Sequence, residues 1–207
     1  MVLEKKQHLK LVCKDFISVN HYMNYRVQGK IVMAYKPKTT KDFEKRFGEY
    51  IKQEIVKQGW VRPPKDKLII IDSTFYFPRI DMDAQNYFKT ICDVGTQSGI
   101  WEDDNITMER VNRIYYDSKN PRIEFDIYES DFVGVFSSQN EYIEFKKENC
   151  DKCKKKSDGS KGSCTILKQL LENRIIDDVI ENKGKWTCNK IKNKLKEKSR
   201  FVEVKYR

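Results

Sequence analysis

The sequence predicts an α+β fold, a small sheet packed against helices, followed by a small helical, Cys-rich C-terminal extension. Three observations carry this. Residues 68–77 form a strongly apolar run of strand length, bounded by Pro63-Pro64 before it and Pro78 after it. Phe43, Phe47, Tyr50, Ile51 and Ile55 recur near a 3.6-residue period, the mark of an amphipathic helix over 41–58. Lysine and cysteine are concentrated after residue 145, which divides the chain into 1–145 and a basic extension, 146–207.

The elements follow in order. Residues 9–13, 18–22 and 30–35 read as strand and turn. Gly59 stops the 41–58 helix. After the 68–77 strand, a second helix covers 85–94, with Gly95 and Gly99 marking its end. Residues 106–116 and 123–128 read as strands, and the polar turn 117–121 between them predicts a hairpin. In the extension, a Gly/Ser/Lys loop at 157–163 precedes two helical segments, 165–181 and 190–198.

Charge and cysteine separate the two parts further. Residues 1–145 hold 22 Lys+Arg against 22 Asp+Glu, whereas 146–200 hold 17 against 8, so nearly all of the net +10 lies in the extension. A segment so charged is drawn to a polyanion, or it serves only to keep the surface solvated. No apolar segment approaches the ~20 residues of a membrane span, and the N-terminus lacks a secretory stretch, so a cytoplasmic protein is expected. Cys13 and Cys92 are isolated and read as small buried hydrophobes. Cys150, Cys153, Cys164 and Cys188 read as a structural Zn²⁺ site, then as an iron–sulfur cluster, then as four free thiols; Cys150-x-x-Cys153 is the metal-knuckle spacing.

The chemistry is concentrated where the 68–77 strand hands over to the next helix. Asp81, Asp83, Asn86 and Lys89 follow it closely, and Trp101-Glu102-Asp103-Asp104 comes after. Carboxylates gathered without histidine suit a hard divalent cation, and a lysine beside them can offset charge building on a phosphate. The combination points to phosphodiester chemistry. Acidic clusters also arise as solvated surface, and Asp-x-Asp pairs as helix caps.

The order of these motifs resembles the RusA-type Holliday junction resolvases over residues ~10–130. The resemblance rests on Ser18-x-Asn20-x-Tyr22, on Asp81-x-Asp83 with Asn86 and Lys89, on Asp93 of the same helix, on Trp101-x-Asp103-Asp104 and on the closing strands. It implies a small mixed β-sheet packed against helices. It also implies a Mg²⁺-dependent (or Mn²⁺-dependent) endonuclease that acts as a homodimer on four-way or branched DNA, in a bacterial or phage-infected cell. By the same resemblance Asp81, Asp83 and Asp104 are the metal-binding aspartates, Lys89 is the catalytic lysine and Asp103 an outer partner. Asn20, His21 and Tyr22 read either as lining the DNA channel or as the polar side chains of a strand end. One departure stands out: Ala84 and Gln85 separate Asp83 from Asn86, so Lys89 follows Asp83 by six positions rather than four. Six steps of about 100° place a side chain on the opposite side of a helix. Lys89 therefore reaches the site only if Asp83 and Ala84 precede the helix, or if its long stem bends back.

Two rivals stand beside this reading. Glu144-Phe145-Lys146 fits the acidic-x-Lys half of a PD-(D/E)xK nuclease site carried on a strand. A non-catalytic zinc-containing nucleic-acid-binding protein would account for the extension but not for the acidic cluster, since carboxylates facing DNA are repulsive unless a cation intervenes.

Overall fold

The computed structural model describes residues 6–65, 67–151, 153, 155, 164–182 and 184–190. The chain forms two compact units that divide between Ser130 and Asp131, so residues 131–145, expected in the first unit, lie in the second.

The first unit is built on a four-stranded mixed sheet of order β1-β6-β4-β5. These strands are β1 (His8–Cys13), β4 (Ile69–Phe77), β5 (Thr107–Tyr116) and β6 (Arg122–Glu129). β6 is antiparallel to both β1 and β4, while β5 runs parallel to β4. The expected hairpin between 106–116 and 123–128 is therefore corrected: β4 lies between the two strands. The reason lies in burial. β4 is buried at alternate positions along its length and on both faces at Ile69, Ile70 and Ile71, so it takes the centre, while β5 is exposed over its last eight residues and takes an edge. A parallel β4–β5 pair needs a crossover, and α3 (Gln85–Ser98) supplies it. The 117–121 turn then carries the chain past the end of β4, where the Asp117 amide donates to the Phe77 carbonyl at 2.8 Å.

Two helices cover one face of the sheet. α2 (Lys38–Gln58) presents Phe43, Phe47 and Ile51, and α3 presents Tyr87, Phe88, Ile91 and Val94. They meet Leu9, Leu11, Ile71, Phe75, Phe77 and Phe125 in one core. Each such side chain removed from water contributes about 1.5–3 kcal/mol. Cys13 and Cys92 lie in the same core, as expected; burial pushes the Cys13 thiol up to about 12. The other sheet face is polar: Tyr128 donates to Asp72 at 2.7 Å, and the Arg122 guanidinium lies 3.5 Å over the Tyr76 ring.

Three local expectations change. Residues 18–22 form a short helix, α1 (Val19–Tyr22), because Ser18 Oγ accepts from the Asn20 amide and caps it. β2 (Asn24–Gln28) precedes β3 (Ile31–Tyr35) in a hairpin turned by Gly29 at φ 63°, a conformation that glycine adopts without steric cost. Tyr25, Val27, Ile31 and Val32 of this hairpin are exposed. α3 continues through Gly95 and stops at Gly99, whose φ of 85° caps it.

The second unit contains α4 (Gln139–Phe145), a π-helical turn (Lys146–Cys150), α5 (Thr165–Leu171) and a hairpin of β7 (Val179–Asn182) with β8 (Lys185–Cys188). The helix expected over 165–181 thus ends at Leu171; Asn173 takes φ 61° and the chain turns into strands. Phe136, Phe145, Leu167, Leu170 and Val179 form its buried cluster. The expected loop at 157–163 and residues 191–198 of the expected final helix lie outside the described residues.

Candidate active site

β4 ends at Phe77, and the loop 78–84 carries both aspartates of the Asp-x-Asp pair before α3 begins at Gln85. Asp81 accepts from Arg79 Nε at 3.1 Å, with both side chains largely in solvent. Asp83 Oδ1 accepts from the Gln85 amide at 3.0 Å, satisfying one of the amides that a helix start leaves unpaired. Asp83 and Ala84 therefore precede the helix, and the two extra residues are absorbed before its first turn. Lys89 is the fifth helical residue, about 6 Å along the axis from Gln85.

Lys89 is the hub of a second cluster. Its Nζ donates to Asp93 Oδ1 at 2.7 Å, one turn further along α3, and to Asp104 Oδ2 at 2.8 Å. Asp104 reaches it because the segment after α3 folds back along the helix. Trp101 is buried against Gly95, and its indole N–H donates to Thr96 Oγ1 at 2.8 Å. This settles Trp101 as a core anchor. Asp103 Oδ1 accepts from the Asn105 amide and opens the 3₁₀ turn Asp104–Ile106. The ion pair is reflected in both partners: hydrogen bonding to Lys89 holds the Asp104 carboxyl below its ordinary range, and bonding to Asp104, then Asp93, raises the Lys89 ammonium.

The network extends to α1. Tyr22 is buried, and its hydroxyl donates to Glu44 Oε1 at 2.7 Å and accepts from Lys36 Nζ at 2.7 Å. Burial is the largest cause raising the Tyr22 phenol, followed by hydrogen bonding to Glu44 and to Asp93. Asp93, one turn beyond Lys89 on α3, belongs to the Lys89 cluster. Sequence reasoning left it out of the core site, although its i,i+4 spacing from Lys89 was the available signal. Asn20 and His21 on the same short helix are exposed.

The structure brings together Lys89, Asp93 and Asp104, with Asp81 and Asp83 on the loop at the head of the same helix. Among the described residues no group of three or more His, Cys, Asp and Glu side chains is arranged to hold a metal ion. The donors are nevertheless of one kind, carboxylate oxygens without imidazole or thiolate beside them, which suits Mg²⁺ or Mn²⁺. Glu144 and Lys146 belong to the second unit, where Glu144 lies on α4 and Lys146 opens the π-helical turn with its ammonium 5.5 Å over the Tyr142 ring. The strand that the PD-(D/E)xK pattern requires at this point is replaced by a helix.

The family model for Endodeoxyribonuclease RusA matches residues 17–128. The chain belongs to the RusA endodeoxyribonuclease family. The matched stretch runs from just before α1 to the end of β6 and includes the whole Asp81–Asp104 region. Membership indicates endodeoxyribonuclease activity. No curated protein matches the chain. Among the described residues no helix is long and apolar enough to cross a membrane.

Proposed function

We propose that this RusA-family protein is a Mg²⁺-dependent, structure-selective endonuclease that cuts four-way DNA junctions, with Asp81, Asp83 and Asp104 as metal-binding carboxylates and Lys89 as the catalytic cation. The observation that carries the reading is Lys89. Despite the two-residue departure from the family spacing, its ammonium stands 2.8 Å from Asp104, on the helix whose entry loop holds Asp81 and Asp83. A divalent cation bound by these carboxylates would supply Lewis-acid activation of water and stabilisation of the leaving oxygen.

The residues themselves perform the rest. Lys89, kept protonated by Asp93 and Asp104, is a fixed positive charge available to a phosphate oxygen that gains charge during displacement. Asp93 holds that ammonium from one turn further along α3, so the lysine stays oriented when Asp104 turns toward a cation. Asn20 and His21, exposed on α1, would meet DNA, while Tyr22 is buried beneath them with its hydroxyl on Glu44 and Lys36.

The protein acts as a homodimer, placing two sites across one junction. The β2–β3 hairpin supports this, since Val27 is 73% and Ile31 66% exposed, a surface that a second copy would cover. Incubation with a labelled immobile four-way junction, with and without Mg²⁺, beside a linear duplex, tests the reading. Paired symmetric nicks confined to the junction and to Mg²⁺ are expected, and Asp81→Asn should abolish them while sparing junction binding. Retained cleavage in Asp81→Asn would overturn the site assignment.

A further inference from the structure

The second unit lies beyond the stretch that matches the family, and among its described residues five buried apolar side chains serve the two helices and the hairpin. Units of this size commonly need a covalent or metal staple to hold together. Cys150, Cys164 and Cys188 all pack against that cluster. They arrive from three separate segments. Cys150 closes the π-helical turn, and the Cys153 amide donates to its carbonyl at 3.0 Å, making a tight turn of the Cys-x-x-Cys segment. Cys164 is the residue before the first turn of α5, and Cys188 ends β8. Buried Asn149 ties two of these segments: its Nδ2 donates to the Phe145 carbonyl at 2.9 Å, and its Oδ1 accepts from the Cys188 amide at 3.0 Å. A cavity of about 20 Å³ lies where they converge, and Cys150, Cys153, Cys164 and Cys188 all line it.

We propose that this cavity is a structural Zn²⁺ site with Cys150, Cys153, Cys164 and Cys188 as its four thiolate ligands. Thiolate donors select zinc over harder cations, and four of them complete its tetrahedron. Phe145, Ile166 and Leu167 supply the apolar part of the remaining wall, and Asn149 and Lys155 the polar part. Since no three of them are yet arranged as ligands among the described residues, binding draws the sulfurs inward and releases a proton from each thiol. The ion then offsets the mutual repulsion of the thiolates and joins three segments through one centre.

The test uses the full-length protein purified without chelator. Elemental analysis should give about one zinc per chain, and Co²⁺ exchanged into the site should show the visible absorption of a tetrahedral thiolate complex. Chelation should expose four additional fast-reacting thiols and lower the unfolding midpoint followed by Trp186, which packs on the same cluster. Cys164→Ser and Cys188→Ser should each lose the metal. If a variant does not fold, the Co²⁺ spectrum and thiol protection of the unaltered chain decide. Iron with acid-labile sulfide would overturn the proposal. So would four thiols that react equally fast with and without added Zn²⁺.

Discussion

Gly95→Ala probes the packing that sets Asp104 in place. A glycine inside a helix costs roughly 1 kcal/mol relative to alanine, so without other contacts the substitution would stabilise α3 by that amount. Contacts are present. A Cβ at Gly95 meets Cζ2, then Cη2 at 2.8 Å and Cε2 at 3.0 Å, of a Trp101 ring that is 1% exposed and fixed by its bond to Thr96. Overpacking of this kind costs about 1–3 kcal/mol, and a rigid aromatic contact belongs at the upper end. The expected net effect is a loss of about 2 kcal/mol. Gly48→Ala in α2 is the internal comparison, because its Cβ would meet Ser98 Oγ at 3.2 Å and Val94 Cγ1 at 3.8 Å, where the hydroxyl can turn aside. It should be neutral or stabilising by up to about 1 kcal/mol. Urea unfolding of the two variants, with unchanged slopes, measures the difference. Since Asp104 lies three residues after Trp101, Gly95→Ala should also reduce junction cleavage where Gly48→Ala does not. Equal stability of the two variants would refute the packing of Trp101 under α3.

Lys89→Met removes the partner that holds the Asp104 carboxyl low, so its titration should move up toward the ordinary carboxylate range, as followed by side-chain carboxyl NMR. In the unaltered chain the stability from the lowered Asp104 is present above the ordinary carboxylate pKa and is lost as pH falls through the lowered value. That from the raised Lys89 is present below the ordinary lysine pKa and is lost as pH rises through the raised value. The pair therefore contributes throughout the neutral range, and an unshifted Asp104 titration in the variant would contradict it. Trp60→Phe leaves the buried Ile100 carbonyl without the indole donor now 3.0 Å away, a loss of about 1–3 kcal/mol by thermal or urea unfolding. Gly134→Ala places a Cβ against the Leu170 carbonyl and Leu171 Cα at φ 59°, and should destabilise the second unit specifically, seen as weaker amide-exchange protection in α5.

The parts of the fold that one segment decides alone were legible in the sequence. The apolar run of β4, the 3.6-residue stripe of α2 and the left-handed stop at Gly59 are local signals, and each element formed within a few residues of expectation. Strand neighbours were not legible, because the 117–121 turn can join adjacent strands or step over one. The choice depended on which strand could be buried most fully. Gly95 looked like a helix end, yet it serves as the flat place on which Trp101 lies. At the site, the aspartates stood out by type and spacing, and the reach of Lys89 depended on where the first turn of α3 begins. Tyr22 bonding to Glu44 is a relation between two helices, and single-segment patterns do not display such relations.

The β2–β3 hairpin has a further consequence. A two-stranded ribbon with apolar side chains in solvent is marginal alone. In the proposed homodimer its order depends on how much protein is in the tube: at low concentration its backbone amides should exchange with deuterium nearly as fast as those of a free peptide, and at high concentration they should be protected. The same dependence makes it a hazard during expression, when crowded chains offer their open strand edges to one another before the rest of the fold is complete. Arg26 and Lys30 within this ribbon are the charges that hold off such indiscriminate pairing. Replacing them with neutral residues should lower soluble yield well before it alters the folded protein.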